Sequence, residues 1–550
     1  MRANRTIGSW LAAGTSLLSV AAPAQQVLDR VDPTANARDR PTEVPRAVAP
    51  LVALEVEANT PPPAAEGGVM IGAVTFTGLA RLSAADFAAT IAPWLGTVAT
   101  PSDLTRLTGA IAARARAGGY VFATASIAPQ RLASGLLTIT VDEGRIDAIR
   151  IDGVDQPAVR AALQPLITGG PVTLAEVERR ILVAGDIDGV RVSGGRFVRE
   201  RGQGVLVVTV ARTGLSGRFA VRNDGTAPIG PIQATLAVSA TGVLTTDDIF
   251  SLTLVGTPLE SEELHYGRLR YARRINRNGT EVAVSGSLGA TRPGGYLAPF
   301  RITGESWFAG LSLLHPLHRR RASSLWLDVA LEVRDLDQDG AGRPARRDRL
   351  TVARLGLHGF KRAIGGRLRG GISVARGLDV FDATGAGDAL ASRRDADGTF
   401  TTFSGWADWT RDVARRLSLR VAIEGQFAAD PLLVSEEIGL GGGSFLRAYD
   451  WSERSGDQGA MGSLELRYDI SKPTTVFRDA QLYTFVDGGR VSNLRGGFGG
   501  GALASAGGGM RADVVKGLSA SFEVAAPLTG ARYDTGNSDP RIRVGVVKSF

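Results

Sequence analysis

The sequence from about residue 215 to residue 550 alternates apolar and polar side chains with a period of two. Between 325 and 333 every odd position is Leu or Val, while the even positions are Trp, Asp, Ala and Glu. The same alternation recurs at 417–424 and 464–470. Because successive side chains of a strand point to opposite faces, the pattern predicts sheets with one apolar and one charged face. It argues against a mainly helical fold for this part.

Two kinds of β-protein carry this alternation: a soluble sandwich with one wet face, and a barrel whose apolar face meets lipid. The strands have about ten residues, the length that a tilted strand needs to cross a bilayer. Short connections alternate with long polar ones, such as 335–349 and 382–398. We therefore expect a transmembrane antiparallel β-barrel over 213–550, with about 16 strands at roughly 20 residues for each strand and its connection.

The last eight residues form a further alternating segment that ends in Phe550. Gly545 and the terminal Phe550 resemble the assembly signal of bacterial outer-membrane barrels, although Lys548 departs from its usual apolar pattern. This resemblance implies that the barrel assembly machinery and outer-membrane lipids are partners of the chain.

The first 66 residues have the composition of a targeting segment and a linker. Two arginines followed by the apolar run 7–20 and the sequence Ala22-Pro23-Ala24 predict a signal peptide over 1–24. Residues 25–66 are rich in Pro and predict a linker, with a possible plug helix. The sequence has no Cys, which excludes a disulfide scaffold and suits passage through an oxidising compartment.

Between the linker and the alternating region lies an internal repeat of about 75 residues. Each copy, 67–144 and 145–212, has the pattern β-α-α-β-β and predicts a small α+β domain. In the first copy the pattern predicts a helix from Ser83 to about Leu95 and a strand from Tyr120 to Ala128. In the second copy it predicts a strand from Val190 to Arg199.

Two segments of the alternating region carry possible site residues. The Gly-rich stretch 439–450 lacks the Lys-Ser/Thr of a P-loop, so nucleotide binding is disfavoured, and the pattern predicts a sharply bent loop that presents Arg447. The segment 485–489 reads Phe-Val-Asp-Gly-Gly on a strand. Asp487 shares a face with Phe485 unless a bulge intervenes, and which face that is stays open. A carboxylate away from water needs a partner, and Arg447 is the candidate.

These segments resemble motifs of the two-partner secretion outer-membrane transporters, of the haemolysin and filamentous-haemagglutinin type, within the superfamily of POTRA-bearing barrels. Leu446-Arg447-Ala448-Tyr449 is similar to the family's inward-loop motif, with Ala448 in place of Gly. Phe485, Asp487 and Gly489 match its strand motif. The resemblance implies two POTRA-like domains and a 16-stranded barrel. It also implies a lock between loop and barrel, formed by Arg447, Asp487, Tyr449, Phe485 and Gly489.

The same resemblance implies export of a secreted exoprotein across the outer membrane of a Gram-negative bacterium, with the POTRA domains in the periplasm. The expected client-binding strand edges contain Tyr120, Phe122, Val190 and Val192, since an extended client can add to a free edge. Alternatives are a barrel assembly factor, a passive porin and a secreted β-sandwich enzyme. Depletion of one exoprotein or of many outer-membrane proteins would separate the first alternative from export.

The remaining candidate sites are weak. His315 and His318 lie three residues apart in an apparent turn, but no carboxylate lies close in sequence, so we expect no metal. The basic clusters 319–321 and 346–347 lack an accompanying aromatic platform, so nucleic acid is not an expected partner, and polar anchoring at a membrane interface is one interpretation. No catalytic motif or cofactor site is found, and we expect no enzyme activity.

Overall fold

The computed structural model describes residues 52–54, 68–130, 135–470 and 477–550. The predicted signal peptide and most of the predicted linker, with its possible plug helix, lie outside the described residues. In the part of the chain that the structure describes, no helix combines the length and the apolar character needed to cross a membrane.

The first domain packs two helices against a three-stranded sheet. Its elements are β2 (Val69–Met70), β3 (Ala73–Thr77), α1 (Ala88–Ile91), β4 (Val98–Ala99), α2 (Pro101–Ala117), β5 (Thr124–Ser126) and β6 (Leu136–Asp142). Helix α2 begins after Thr100, whose hydroxyl accepts a hydrogen bond from the Asp103 N–H at 3.3 Å, while Asp103 accepts the Thr100 N–H. Its buried face, with Leu107 and Ile111, packs on the sheet of order β3-β6-β5.

Two sequence predictions for this domain were wrong in extent. The helix predicted from Ser83 to Leu95 is split into two short 3-10 turns flanking α1, and the second turn contains Pro93. Proline lacks the N–H that a continuing helix needs. The strand predicted from Tyr120 to Ala128 is limited to β5, and Tyr120 lies before it.

The second domain repeats the predicted β-α-α-β-β order. Its elements are β7 (Ala148–Gly153), α3 (Pro157–Leu163), α4 (Leu174–Gly185), β8 (Val190–Glu200) and β9 (Gln203–Arg212). A short strand from the predicted linker, β1 (Val52–Leu54), pairs in parallel with β8 at Gly195–Phe197, which gives the sheet order β1-β8-β9-β7. The linker composition did not predict this strand, which pairs with an edge that β8 offers.

The remainder forms a closed antiparallel barrel of 16 strands in the described residues, which confirms the predicted fold class. Its strands are β10 (Leu215–Arg222), β11 (Gln233–Thr241), β12 (Asp248–Gly256), β13 (Leu264–Arg274), β14 (Glu281–Thr291), β15 (Ile302–Arg319), β16 (Ser323–Gly340), β17 (Arg343–Ala363), β18 (Gly366–Gly377), β19 (Thr401–Ala414), β20 (Leu417–Ala428), β23 (Gln458–Ile470), β24 (Asp479–Ser492), β25 (Gly501–Val515), β26 (Leu518–Pro527) and β27 (Arg541–Ser549). Strand β27 pairs with β10 and closes the barrel. A separate hairpin, β21 (Ile438–Leu440) and β22 (Arg454–Gly456), belongs to the connection between β20 and β23.

The alternation of the sequence sets the two faces of the barrel. Leu325, Val329 and Leu331 are exposed on the outer face of β16, whereas Glu465 and Asp487 are fully buried inside.

The connections at the end near the two small domains are short, and those at the far end include the long segments 378–400 and 429–457. Sheet closure leaves no free strand edge facing lipid, as a barrel in a membrane requires.

The prediction of a long connection at 335–349 was wrong. Strands β16 and β17 continue through this segment and are joined only by Ala341 and Gly342, which both have positive φ. The charged composition has a structural cause, because Asp337 and Arg347 lie opposite each other and form an ion pair across the hairpin. The predicted connection at 382–398 does lie between strands, within 378–400.

Candidate functional site

Arg447 lies at the tip of a loop that folds from the far end into the barrel lumen. Its Nε and Nη2 donate to the two oxygens of Asp487 at 3.0 and 2.9 Å, and its backbone N–H donates to the same carboxylate at 3.2 Å. Nη1 donates to Glu465 at 2.6 Å and Nη2 donates to the Ser463 hydroxyl at 2.9 Å. These four residues, the Arg447 cluster, are almost completely buried. A planar guanidinium suits this geometry because it can bind two carboxylates at once.

The register of the barrel wall explains each residue of the strand motif. Asp487 on β24 lies opposite Ser463 on β23, and Phe485 lies opposite Glu465. Phe485 faces the lumen, and the Arg447 guanidinium carbon lies 3.4 Å from the centre of its ring. At Gly489 a Cβ atom would lie 2.9 Å from a methyl of Leu440, so glycine leaves space for the loop hairpin.

The sequence did not determine which face of the strand carries Phe485 and Asp487, and the structure shows that both side chains point into the lumen. Strand β24 shows no register shift against either neighbour, so Phe485 and Asp487 share one face, as the period of two requires.

The loop backbone bends at glycine, as its composition predicts. Gly441 and Gly442 have positive φ, and a Cβ atom on Gly441 would lie 1.9 Å from the Asp450 carbonyl oxygen. The positive φ next to Arg447 falls on Leu446, whereas Ala448 has no positive φ. The position where Ala448 replaces the family's Gly thus has a backbone conformation that alanine tolerates.

Further contacts fasten the loop to the strands β26 and β27 and their connection. Tyr449 is fully buried, and its hydroxyl donates to the Thr529 carbonyl. Arg543 on β27 donates to the carbonyls of Gly442 and Tyr449 at 2.9 and 3.3 Å. Asp450 forms an ion pair with Arg541. The loop is thus held against one side of the barrel wall, from β23 to β27.

Sequence reasoning missed Glu465, Ser463, Arg541 and Arg543 as contacts of the loop. Glu465 stands on the charged face of the alternating segment 464–470, which was the available signal. The strand pattern alone does not say which charged side chains of neighbouring strands meet the loop, because that depends on the stagger of the closed barrel.

Comparison with known families decides the assignment. The haemolysin secretion/activation protein family ShlB/FhaC/HecB matches residues 202–512, more than half of the chain. The chain belongs to the ShlB/FhaC/HecB family. A POTRA domain of ShlB type matches residues 69–144, which contain the first small domain.

Relatives of this ShlB/FhaC/HecB member include two named transporters. The outer membrane transporter CdiB of Escherichia coli is 24% identical over 458 residues, which cover 79% of this chain and 76% of CdiB. The heme/hemopexin transporter protein HuxB of Haemophilus influenzae is 22% identical over 385 residues, 68% of this chain and 67% of HuxB. The solved structure of CdiB from Escherichia coli superposes with a TM-score of 0.72 at 21% identity, covering 96% of this chain and 98% of CdiB, and supports the fold.

Family membership, the closed barrel and the POTRA domain place this ShlB/FhaC/HecB protein in the bacterial outer membrane. The POTRA domains lie on the periplasmic side. The near end of the barrel is therefore periplasmic, and the far end, with the connections 378–400 and 429–457, faces the cell surface.

The residues predicted at client-binding edges have different environments. Phe122 does not lie on a strand: it is 2% exposed and its ring stacks on Phe197 at 4.0 Å, within the core of the second domain. Tyr120 is partly buried and packs against the hydrophobic core of the first domain. Neither residue forms a free edge, so this prediction was wrong for both. Val190 and Val192 do lie on β8, at the edge of the second sheet.

The two histidines considered for metal binding have other partners. His315 and His318 lie at the end of β15, not in a turn, and contact the hydroxyls of Thr280 and Ser323 at 2.8 and 3.1 Å. The described ranges contain no group of three residues that could hold a metal ion.

The second domain is joined to the periplasmic end of the barrel by charged contacts. Arg319 on β15 donates to both carboxylate oxygens of Asp186 at 2.8 and 2.7 Å. Arg274 on β13 donates to the Asp186 carbonyl at 2.6 Å. Asp188 lies beside this joint, and one of its buried oxygens has no hydrogen-bond partner in the described structure. Burial, and then repulsion from Glu281, raise the pKa of Asp188 to about 6, although Arg274 and Arg270 oppose the shift.

Replacing Asp188 by Asn is expected to stabilise the second domain above pH 6. Because the folded domain binds this proton more tightly than the unfolded chain, its stability falls as the pH rises from about 4 to about 6. Two pKa units correspond to about 3 kcal/mol, and remaining solvent contact reduces this to a gain of about 1–2 kcal/mol at pH 8. Urea midpoints measured by pulse proteolysis at pH 4 and pH 8 test the effect.

The exposed Asp152 on β7 provides the matched control, since D152N removes a carboxylate from the same domain without affecting the joint. A gain from D188N that is equal at both pH values would contradict the assignment.

Proposed function

We propose that this protein exports an unfolded exoprotein, which the POTRA domains capture in the periplasm and the barrel lumen conducts to the cell surface. The Arg447 cluster is the observation that carries the proposal, because it holds a long loop inside the lumen by buried ionic contacts. An element held in this way has discrete arrangements, so it can close a passage and move aside. The names of the relatives CdiB and HuxB, both transporters, support the proposal.

The free part of β8 supports client capture. Among the described strands, Val190 and Val192 pair only with β9, and the exposed Arg191 and Ser193 alternate with them. An extended client segment can add to this edge as a further strand through backbone hydrogen bonds. The pairing of β1 with Gly195–Phe197 supports this mode, since the same edge accepts a parallel strand there.

The lumen supports passage of an unfolded chain. A cavity of about 610 Å³ lies between the inward loop and the wall from β13 to β20, and Arg268, Glu332, Arg354 and Glu424 are among its lining residues. Charged side chains keep such a path hydrated and weakly adhesive to apolar segments. The sequence contains no P-loop, so in this proposal the folding of the exoprotein outside the cell supplies the free energy.

Depletion of the protein is expected to remove one exoprotein from the culture medium while other outer-membrane proteins stay at their normal levels. Quantitative proteomics of the medium and of the outer-membrane fraction measures both. A photoreactive amino acid at Arg191 or Ser193 should then cross-link that same exoprotein in the periplasm. Position 160, on the exposed side of α3, is the matched control and should give no cross-link.

Other results would overturn the proposal. A general fall of outer-membrane proteins on depletion would favour a barrel assembly factor. An unchanged medium would argue against export of an exoprotein. Loss of the exoprotein without cross-links at 191 or 193 would leave export standing and would reject capture at β8.

A further inference from the structure

A second buried ionic cluster lies at the cell-surface end of the barrel, around Arg393 in the connection 378–400. This outer clasp consists of Arg393, Asp395, Asp457 and the carbonyl of Leu494. Nη1 of Arg393 donates to both oxygens of Asp457 at 2.7 and 2.8 Å, and Nε donates to Asp395 at 2.8 Å. Nη2 donates to the Leu494 carbonyl. Arg393 is 8% exposed and Asp457 is fully buried, so water screens these charges little.

Asp457 connects further segments of the surface side. Its carboxylate also accepts the backbone N–H of Leu432 at 2.7 Å and that of Leu494 at 2.6 Å. It stands directly before β23, so a single carboxylate joins the connections 378–400, 429–457 and 493–500 to a barrel strand. Loops in water seldom share such a contact, because each must lose conformational entropy to form it.

An apolar core accompanies the outer clasp. The side chains of Phe400, Leu432 and Leu433 are fully buried and pack with Leu350 and Val352 of β17. Leu494 packs against the same group. The three surface connections therefore pack together as one folded unit with an apolar interior, called the lid below, and the outer clasp ties its pieces together.

We infer that the outer clasp is a second lock, which keeps the cell-surface mouth of the barrel closed and must open before a polypeptide can leave. The inference rests on the proposed export function. Removing one partner of a buried ion pair leaves an uncompensated charge, so the lid loses its closed arrangement. Removing the charges of both Arg393 and Asp457 leaves no fully buried carboxylate of the clasp without a cation, because the remaining Asp395 has a partly exposed side chain, and it therefore disturbs the lid less.

The two locks have different partners, although the connection 429–457 contributes to both. The Arg447 cluster joins the loop tip to β23 and β24 inside the lumen, whereas the outer clasp joins surface connections. No residue of the described structure belongs to both sets of contacts. Opening one lock therefore does not by itself break the contacts of the other, and their effects on the closed state should add.

Planar lipid bilayers containing the purified full-length protein test the inference without a client. We expect R393M and D457N each to raise the time-averaged conductance by about tenfold or more, and the double variant R393M/D457N to raise it less than either single change. The control R292A breaks the exposed ion pair of Arg292 with Glu262 in other surface connections and should leave the conductance unchanged. Heat-modifiable migration in gels verifies that each barrel is folded.

Parental conductance in both folded single variants would overturn the inference, as would a double variant more conductive than either. If D457N fails to fold, R393M decides alone, because Asp457 then keeps its two backbone donors. Combination with R447A should give additive changes, and a variant no more conductive than one single change would reject two separate locks. If the single variants have a higher conductance than the parent protein but the parent secretes no exoprotein, the proposed export function is rejected and the inference about the outer clasp is kept.

Discussion

Replacing Arg447 by alanine should abolish secretion of the exoprotein while the barrel still assembles. The change leaves the buried carboxylates Asp487 and Glu465 without their shared cation, and losing one partner of a buried ionic group costs about 3–5 kcal/mol. A loss of this size lowers the ratio of molecules with the loop in this position to molecules with the loop displaced by a factor of about a hundred or more. The barrel wall itself keeps its backbone ladder, so its folded fraction should hardly change.

A lysine substitution separates the need for the guanidinium geometry at position 447 from the need for a positive charge there. Lysine at position 447 restores a positive charge but not the planar fork that contacts Asp487, Glu465 and Ser463 together, so R447K should not rescue secretion. The control is Arg490→Ala, which removes an exposed arginine from the outer face of β24, the same strand that carries Asp487. Secretion is measured by exoprotein in the medium, and assembly by heat-modifiable migration of the barrel.

Normal secretion by folded R447A would reject the role of the cluster in export. Loss of the folded barrel in R447A but not in R490A would show instead that Arg447 stabilises the wall. The combination of R447M with D487L, in which Glu465 keeps its ion pairs with Arg467 and Arg511, then tests whether an apolar replacement restores folding.

The architecture of the barrel was predictable because one physical requirement sets its pattern. A strand that crosses lipid must alternate its side chains and has a length fixed by the bilayer, so the number of strands follows from the number of residues. Strand ends were less predictable. Asp337 and Arg347 read as a polar loop in sequence, yet they pair across β16 and β17 and continue the ladder.

The candidate site was predictable only in part. The partnership of Arg447 and Asp487 followed from the resemblance and from the need of a carboxylate for a partner away from water. Glu465 and Arg543 were not foreseen, since their meeting with the loop depends on how distant strands are staggered around the barrel. The environment of Phe122 was missed for a similar reason: its ring fills a core that belongs to the next domain.

The other large effect is expected at the seam of the barrel, where β27 pairs with β10. Five residue pairs, from Arg218 with Ser549 to Arg222 with Gly545, form this junction. Phe550 extends it, because the backbones of Phe550 and Gly217 exchange hydrogen bonds of 3.0 and 2.9 Å. The ring lies over Gly217, where a Cβ atom would come within 2.1 Å of it.

Deletion of Phe550 should therefore lower the yield of closed barrel. Two hydrogen bonds and the ring contact contribute about 3 kcal/mol to the junction, so the ratio of closed to open seam should fall about a hundredfold. Substitution of Gly217 by Val should have a smaller effect, because the exposed Phe550 ring can rotate away and only the ring contact is lost, while both backbone hydrogen bonds remain. Phe522→Ala, which removes an exposed aromatic side chain from β26 without contact to the seam, is the control.

Refolding from urea into lipid vesicles without any assembly machinery separates two roles of Phe550. If the residue closes the seam, its deletion should refold poorly in vitro as well as in cells, G217V should refold less poorly than the deletion, and F522A should refold normally. If it acts only as a signal to the barrel assembly machinery, the deletion should refold like the parent protein in vesicles and fail only in cells. The contacts with Gly217 favour the first outcome, because they belong to the finished barrel and need no recognition partner.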